Sequence, residues 1–181
     1  IRMMTKRLAG LGFNALAVDM YNGQVASSPE SAKKYMQQAQ SNPQGAIANL
    51  EQARQYLNEQ QNAENIGVIG WCFGGGWSLQ TALAMPDEID ATVIYYGRLV
   101  TDLDQLRTLN MPILGFFGGQ DQGIPPKKVE EFRSNLETVG RDAEIYIYEE
   151  AGHAFANPSG ERYNKEAARD AWNKTKAFLN E

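Results

Sequence analysis

The chain has 181 residues, 43% of them hydrophobic, with 17 basic against 22 acidic side chains and a net charge of −5. That length suits about one domain, the composition excludes wholesale disorder, and the acidic balance excludes a general nucleic-acid binder, which would carry a basic stripe. No apolar run approaches the ~20 residues that a membrane-spanning helix needs, so neither nucleic acid nor membrane is expected as a partner.

Ile1, Met4, Leu8 and Leu11 recur at helical spacing and predict an amphipathic helix that stops at residues 10–12. Ala15-Leu-Ala-Val-Asp19, closed by the turn pair Asn22-Gly23, predicts a buried strand. A helix beginning near Ser28-Pro29 is expected in the polar stretch that follows. Ala46, Ile47, Leu50, Ala53 and Leu57 then mark one face of another, ending around residues 58–62. Ile66-Gly-Val-Ile-Gly70 reads as the second strand, and residues 74–85 as a helix stopped by Pro86. Residues 91–96 form the third strand, 102–109 a short helix, and Ile113-Leu-Gly-Phe-Phe117 the fourth strand, opened by Pro112 where proline costs little. Pro125-Pro126 starts a helix to about Val139, Glu144-Ile-Tyr-Ile-Tyr148 is the fifth strand, and residues 164–180 form the closing helix. Strands apolar on both faces that alternate with helices predict a single α/β domain, a mostly parallel sheet with helices on both faces.

Gly70-Trp-Cys-Phe-Gly74 falls between a strand and a helix, the context of a nucleophile elbow G-x-S-x-G with sulfur replacing oxygen. Glycines permit the sharp turn, and the amides that open the helix stabilise a thiolate. Cys72 is therefore the expected nucleophile, in preference to an inert buried thiol. A thiol needs a base, and the only histidine is His153, in Ala151-Gly-His-Ala154 just past the fifth strand. Asp121, directly after the fourth strand, is the expected orienting acid, against the alternative of a carboxylate capping its own turn. The order Cys72, Asp121, His153 is that of nucleophile, acid and histidine in α/β hydrolases. One cysteine and one histidine are too few for a structural zinc or iron–sulfur site, so no metal and no cofactor are expected. The lone cysteine makes no internal disulfide and allows a reducing compartment, consistent with a cytoplasmic location.

At these residues the chain resembles the dienelactone hydrolase family, carboxymethylenebutenolidase-like α/β hydrolases. Ala17-Val-Asp-Met-Tyr21, Ile69-Gly-Trp-Cys-Phe-Gly-Gly-Gly76, Tyr95-Tyr-Gly97, Gly118-Gly-Gln-Asp121 and Gly152-His-Ala-Phe155 carry the resemblance along nearly the whole chain. It implies hydrolysis of a small ester, lactone or thioester through an acyl-cysteine, with Cys72, His153 and Asp121 as triad. It also implies a form shortened at its amino terminus, without the family's first strands and the oxyanion donor and glutamate they bring. The Phe73 amide is then the expected oxyanion donor. Where the family holds a substrate carboxylate with arginines, the stretches Tyr21-Asn-Gly-Gln24 and Phe155-Ala-Asn-Pro158 carry none, so a neutral short-chain ester is the expected substrate. Trp71, Phe73 and Tyr96 are expected to line the acyl pocket and Arg98 to approach an anionic group, whereas Trp77 is expected to pack. An exposed sheet edge would favour a homodimer. The reading kept beside this one is a non-catalytic remnant of the fold, an interaction module with Cys72 as a redox-sensing thiol.

Overall fold

The computed structural model describes residues 1–181 as two compact units, Ile1–Ile66 and Gly67–Glu181. The first is helical: α1 Arg2–Ala9, α2 Pro29–Ser41 and α3 Pro43–Gln61. Ser28 caps α2 by accepting the Ser31 amide, while the Ser31 hydroxyl answers the Ser28 amide. Asn42 ends α2 and caps α3 through the Gly45 amide, and Pro29 and Pro43 open their helices where no amide proton is missed.

One expectation fails here. Residues 15–19 belong to no strand or helix, and Leu16 is 42% exposed. A short apolar run becomes a strand only when a neighbour pairs its amides and carbonyls, and no strand pairs with this one. The segment is fixed instead through Asp19, whose carboxylate accepts the Tyr21 and Gly23 amides and whose carbonyl accepts from Asn49 at 2.8 Å.

The second unit holds the sheet: β1 Gly67–Trp71, α4 Phe73–Ala84, β2 Ala91–Tyr95, α5 Leu103–Leu106, β3 Ile113–Gly118, α6 Pro126–Thr138, β4 Ala143–Tyr148 and α7 Lys165–Phe178. These strands and helices follow the sequence reading to within a few residues. The four strands are parallel in the order β1-β2-β3-β4. Since parallel crossovers are right-handed, a sheet that grows in one direction places α4, α5 and α6 on one face. α4 packs on β1 and β2, and α6 packs its stripe of Val129, Phe132 and Leu136 on β3 and β4. The other face belongs to α7. Ala167 and Ala171 of that helix join Val93, Tyr95, Leu114 and Phe116 in the core, and Thr175 is hydrogen-bonded to the Tyr95 hydroxyl at 2.7 Å. No helix is long and apolar enough to cross a membrane.

Parallel strands bring all their carboxyl ends to one edge. The residues following β1, β3 and β4 include Cys72, Asp121 and His153, so the topology gathers the three chemical candidates before any side chain is considered.

Candidate active site

Cys72 sits between β1 and α4 with φ 55° and ψ −114°, a strained conformation for a side chain with a Cβ. Backbone bonds hold it there: its amide donates to the Tyr95 carbonyl at 2.9 Å, and its carbonyl accepts from Gly76 at 3.1 Å. The turn closes so tightly that a Cβ on Gly70 would stand 2.1 Å from the Gly74 carbonyl oxygen. Gly70 is thus a steric requirement of the elbow, whereas a Cβ on Gly74 would meet nothing within 4 Å, and the turn lifts the Cys72 thiol off the end of the sheet.

His153 reaches this thiol from the opposite edge. Adjacent strands lie ~4.8 Å apart, so β1 and β4 are separated by roughly 14 Å. The chain leaving β4 has to arch back over the end of β3. It does so through two crossing bonds: Gly119 donates to the Tyr148 carbonyl at 2.8 Å, and Gln120 donates to the Ala151 carbonyl at 2.9 Å. Beyond the arch, Ala154 takes φ 64° and Phe155 is fully buried, its ring 5.2 Å from those of both Tyr96 and Tyr148.

The imidazole bridges the two other candidates. Its Nε2 lies 3.0 Å from Cys72 Sγ and its Nδ1 lies 2.7 Å from Asp121 Oδ2. Asp121 is 2% exposed, and its Oδ1 accepts the Gly123 and Ile124 amides at 2.8 and 3.0 Å. Both oxygens of this buried carboxylate are therefore engaged, and its direction is fixed.

The electrostatics follow the geometry. The Cys72 thiol is held below its ordinary pKa, foremost by the hydrogen bond with His153 and against the opposing effect of burial, with the Phe73 amide assisting. His153 is raised from 6.5 to about 9, foremost by the bond to Cys72 and further by Asp121, again against burial. Each shift favours the charged form, a thiolate on Cys72 and an imidazolium on His153.

The other expected residues are placed as follows. Phe73 opens α4 with its amide directed at Cys72. Trp71 is half-buried with its ring 5.2 Å from Tyr95, within the aromatic layer of the core. Trp77 is buried, edge-on to Phe73. Arg98 is exposed, and its backbone lies beside Gly76, one turn into α4. Tyr96 is buried at 2% exposure with its ring 5.3 Å from the His153 imidazole. That contact between β2 and the histidine loop has no trace in sequence spacing. The two amides that hold Asp121 do have one, because Asp-x-Gly is a recognisable turn pattern.

A model of the dienelactone hydrolase family matches residues 1–181. The chain belongs to the dienelactone hydrolase family. A protein of Saccharolobus solfataricus provisionally named carboxymethylenebutenolidase is 38% identical over 127 residues, which cover 70% of this chain and 48% of the relative. One of the same provisional name from Methylorubrum extorquens is 30% identical over 186 residues, covering 95% of this chain and 64% of its own. This chain therefore spans between about half and two thirds of those two relatives. Among solved structures, a provisionally named dienelactone hydrolase of Klebsiella pneumoniae superposes with a TM-score of 0.87 at 28% identity, over 99% of this chain and 80% of that one. The fold is that of the dienelactone hydrolase family.

Proposed function

We propose that the protein is a cysteine hydrolase that cleaves a small ester, lactone or thioester through an acyl-cysteine. The observation that carries this reading is the unbroken chain Sγ–Nε2, Nδ1–Oδ2 from Cys72 through His153 to Asp121, at 3.0 and 2.7 Å. The Cys72 thiolate attacks the carbonyl carbon, and the electron pair of the C=O bond moves to oxygen, where the Phe73 amide supports the charge. As the tetrahedral intermediate collapses, the bond to the leaving group breaks and the His153 imidazolium gives it a proton. The now neutral imidazole takes a proton from water, the hydroxide equivalent attacks the thioester, and the thiolate leaves to re-form the ion pair. Asp121 keeps Nδ1 protonated and aimed throughout.

A neutral short-chain ester is proposed as the substrate because the stretches Tyr21-Asn-Gly-Gln24 and Phe155-Ala-Asn-Pro158 carry no arginine to hold a carboxylate. Trp71 and Arg98 remain proposals as substrate contacts, Arg98 for an anionic group. A half-exposed reactive thiol works only when reduced, which fits a reducing compartment such as the cytoplasm.

The test is time-resolved hydrolysis of p-nitrophenyl acetate by the chain and by Cys72→Ala. A burst equal to the enzyme concentration followed by steady turnover, both absent in the variant, supports the reading. Full activity in Cys72→Ala overturns it. No turnover combined with reversible peroxide oxidation of Cys72 would favour the redox-sensing module.

A further inference from the structure

We propose that Tyr96 is a positioning residue that holds the histidine loop, and with it Nε2 of His153, against the Cys72 sulfur. The proposal rests on the reading of Cys72 and His153 as a reactive pair and adds to it a device that keeps the two together.

Tyr96 follows β2 immediately and stands between the ends of β1 and β3. Its backbone is fixed with φ 37°, a left-handed conformation that few side chains adopt. Its amide donates to the Phe116 carbonyl at 2.7 Å, and the preceding carbonyl, that of Tyr95, receives the Cys72 amide at 2.9 Å. The same peptide segment that anchors the nucleophile elbow thus sets the direction of the Tyr96 ring.

Besides an edge-on contact with the neighbouring Tyr95 ring at 6.1 Å, that side chain faces the histidine loop. It meets the imidazole of His153 at 5.3 Å and 61°, and the Phe155 ring edge-on at 5.2 Å and 72°. The backbone amide of Ala156 faces its oxygen. One buried side chain therefore supports the base directly and ties down the backbone on its far side. The arch from β4 has a strained residue, Ala154, between these two contacts, so the loop has reason to relax when the tie is cut. The titratable groups that meet the imidazole besides this phenol are Cys72 and Asp121.

The role differs from lining a substrate pocket, and the two can be separated. The readout is the rate of Cys72 alkylation by iodoacetamide across pH, which reports the thiolate without any ester, together with kcat and KM on p-nitrophenyl acetate. Tyr96→Phe keeps the ring and removes only the oxygen that the Ala156 amide faces, so alkylation near neutral pH should slow about fivefold, as the loss of one buried polar contact implies. Tyr96→Leu also removes the ring, and alkylation should slow more than tenfold with its pH midpoint displaced upward. In both variants kcat should fall and KM should stay.

An unchanged alkylation profile in Tyr96→Phe, or a raised KM with unchanged kcat, would overturn the proposal, the second result making Tyr96 a substrate contact. Should Tyr96→Leu fail to fold, the phenylalanine variant decides alone. If the parent chain hydrolyses no ester, the hydrolase reading fails, yet alkylation still reports whether Tyr96 positions His153.

Discussion

A Cβ placed on Gly118 would stand 2.5 Å from the carbonyl oxygen of Ala151 and 2.8 Å from that of Gly152. The last residue of β3 is thus the surface over which the histidine loop passes, and only a hydrogen fits between. Gly118→Ala should lift the arch. We expect a loss of about 1–3 kcal/mol in stability from overpacking, but a loss of roughly 10²-fold in ester turnover, because displacing a catalytic group by an ångström costs that much. Calorimetry and kcat on the same preparation check it: a fall in melting temperature with activity intact would show that the loop does not depend on this passage.

The pH dependence has a defined sign. The Cys72 thiol is held below its ordinary 9.0, so alkylation should reach its plateau at lower pH than a free cysteine and stay there as the medium becomes more alkaline. Hydrolysis should instead decline as pH rises through about 9, where His153 loses the proton that the leaving group needs. The raised histidine pKa also stabilises the fold fully below 6.5, an effect that fades between 6.5 and about 9. Coincident profiles for alkylation and hydrolysis on the alkaline side would contradict the proton-donor role.

Asp121→Asn keeps the shape of the side chain and removes the charge beside Nδ1. Turnover should fall by ~10²–10⁴-fold, since an amide cannot enforce the tautomer or support the imidazolium. Stability should fall by about 1–3 kcal/mol, because one of the two amides held by the buried carboxylate loses its acceptor if the side chain turns. Unaltered alkylation at neutral pH in this variant would mean that Asp121 does not sustain the ion pair.

The sequence carried the second unit almost completely and the first only in part. β1 to β4 are runs of branched and aromatic residues ending in glycine or polar turns, a local signal that survives without an alignment. Residues 15–19 carry the same signal, and there it misleads, because hydropathy records the wish of a strand to be buried and says nothing about a partner for its backbone. Cys72, Asp121 and His153 were legible because each falls at a strand end, and strand ends are where a parallel sheet assembles chemistry. The contact of Tyr96 with His153 joins residues 57 positions apart through a loop whose path depends on tight crossings at Gly118 and Gly119, and no periodicity reports such a path.

Thr92 offers a test of the core. It is fully buried on β2, and its hydroxyl has no hydrogen-bond partner. Thr92→Val exchanges that hydroxyl for a methyl group with the same branching, which suits a strand. We expect a gain of about 1 kcal/mol, or roughly 2–4 °C in melting temperature for a chain of this size. Thermal unfolding that moves the other way would mean that the hydroxyl is satisfied in solution.

His153 stands 81 residues beyond Cys72 in the chain, and this separation has a temporal side. A nascent polypeptide exposes Cys72 long before His153 has been synthesised, and in that interval the thiol has only the first amides of α4 beside it. It meets oxidants and electrophiles with a reactivity close to that of an ordinary protein thiol. The thiol gains its imidazole partner only when β4 has docked and its loop has folded back. A His153→Ala chain never passes that point, and its cysteine should alkylate with a midpoint above the ordinary 9.0, because burial then outweighs the help of the Phe73 amide.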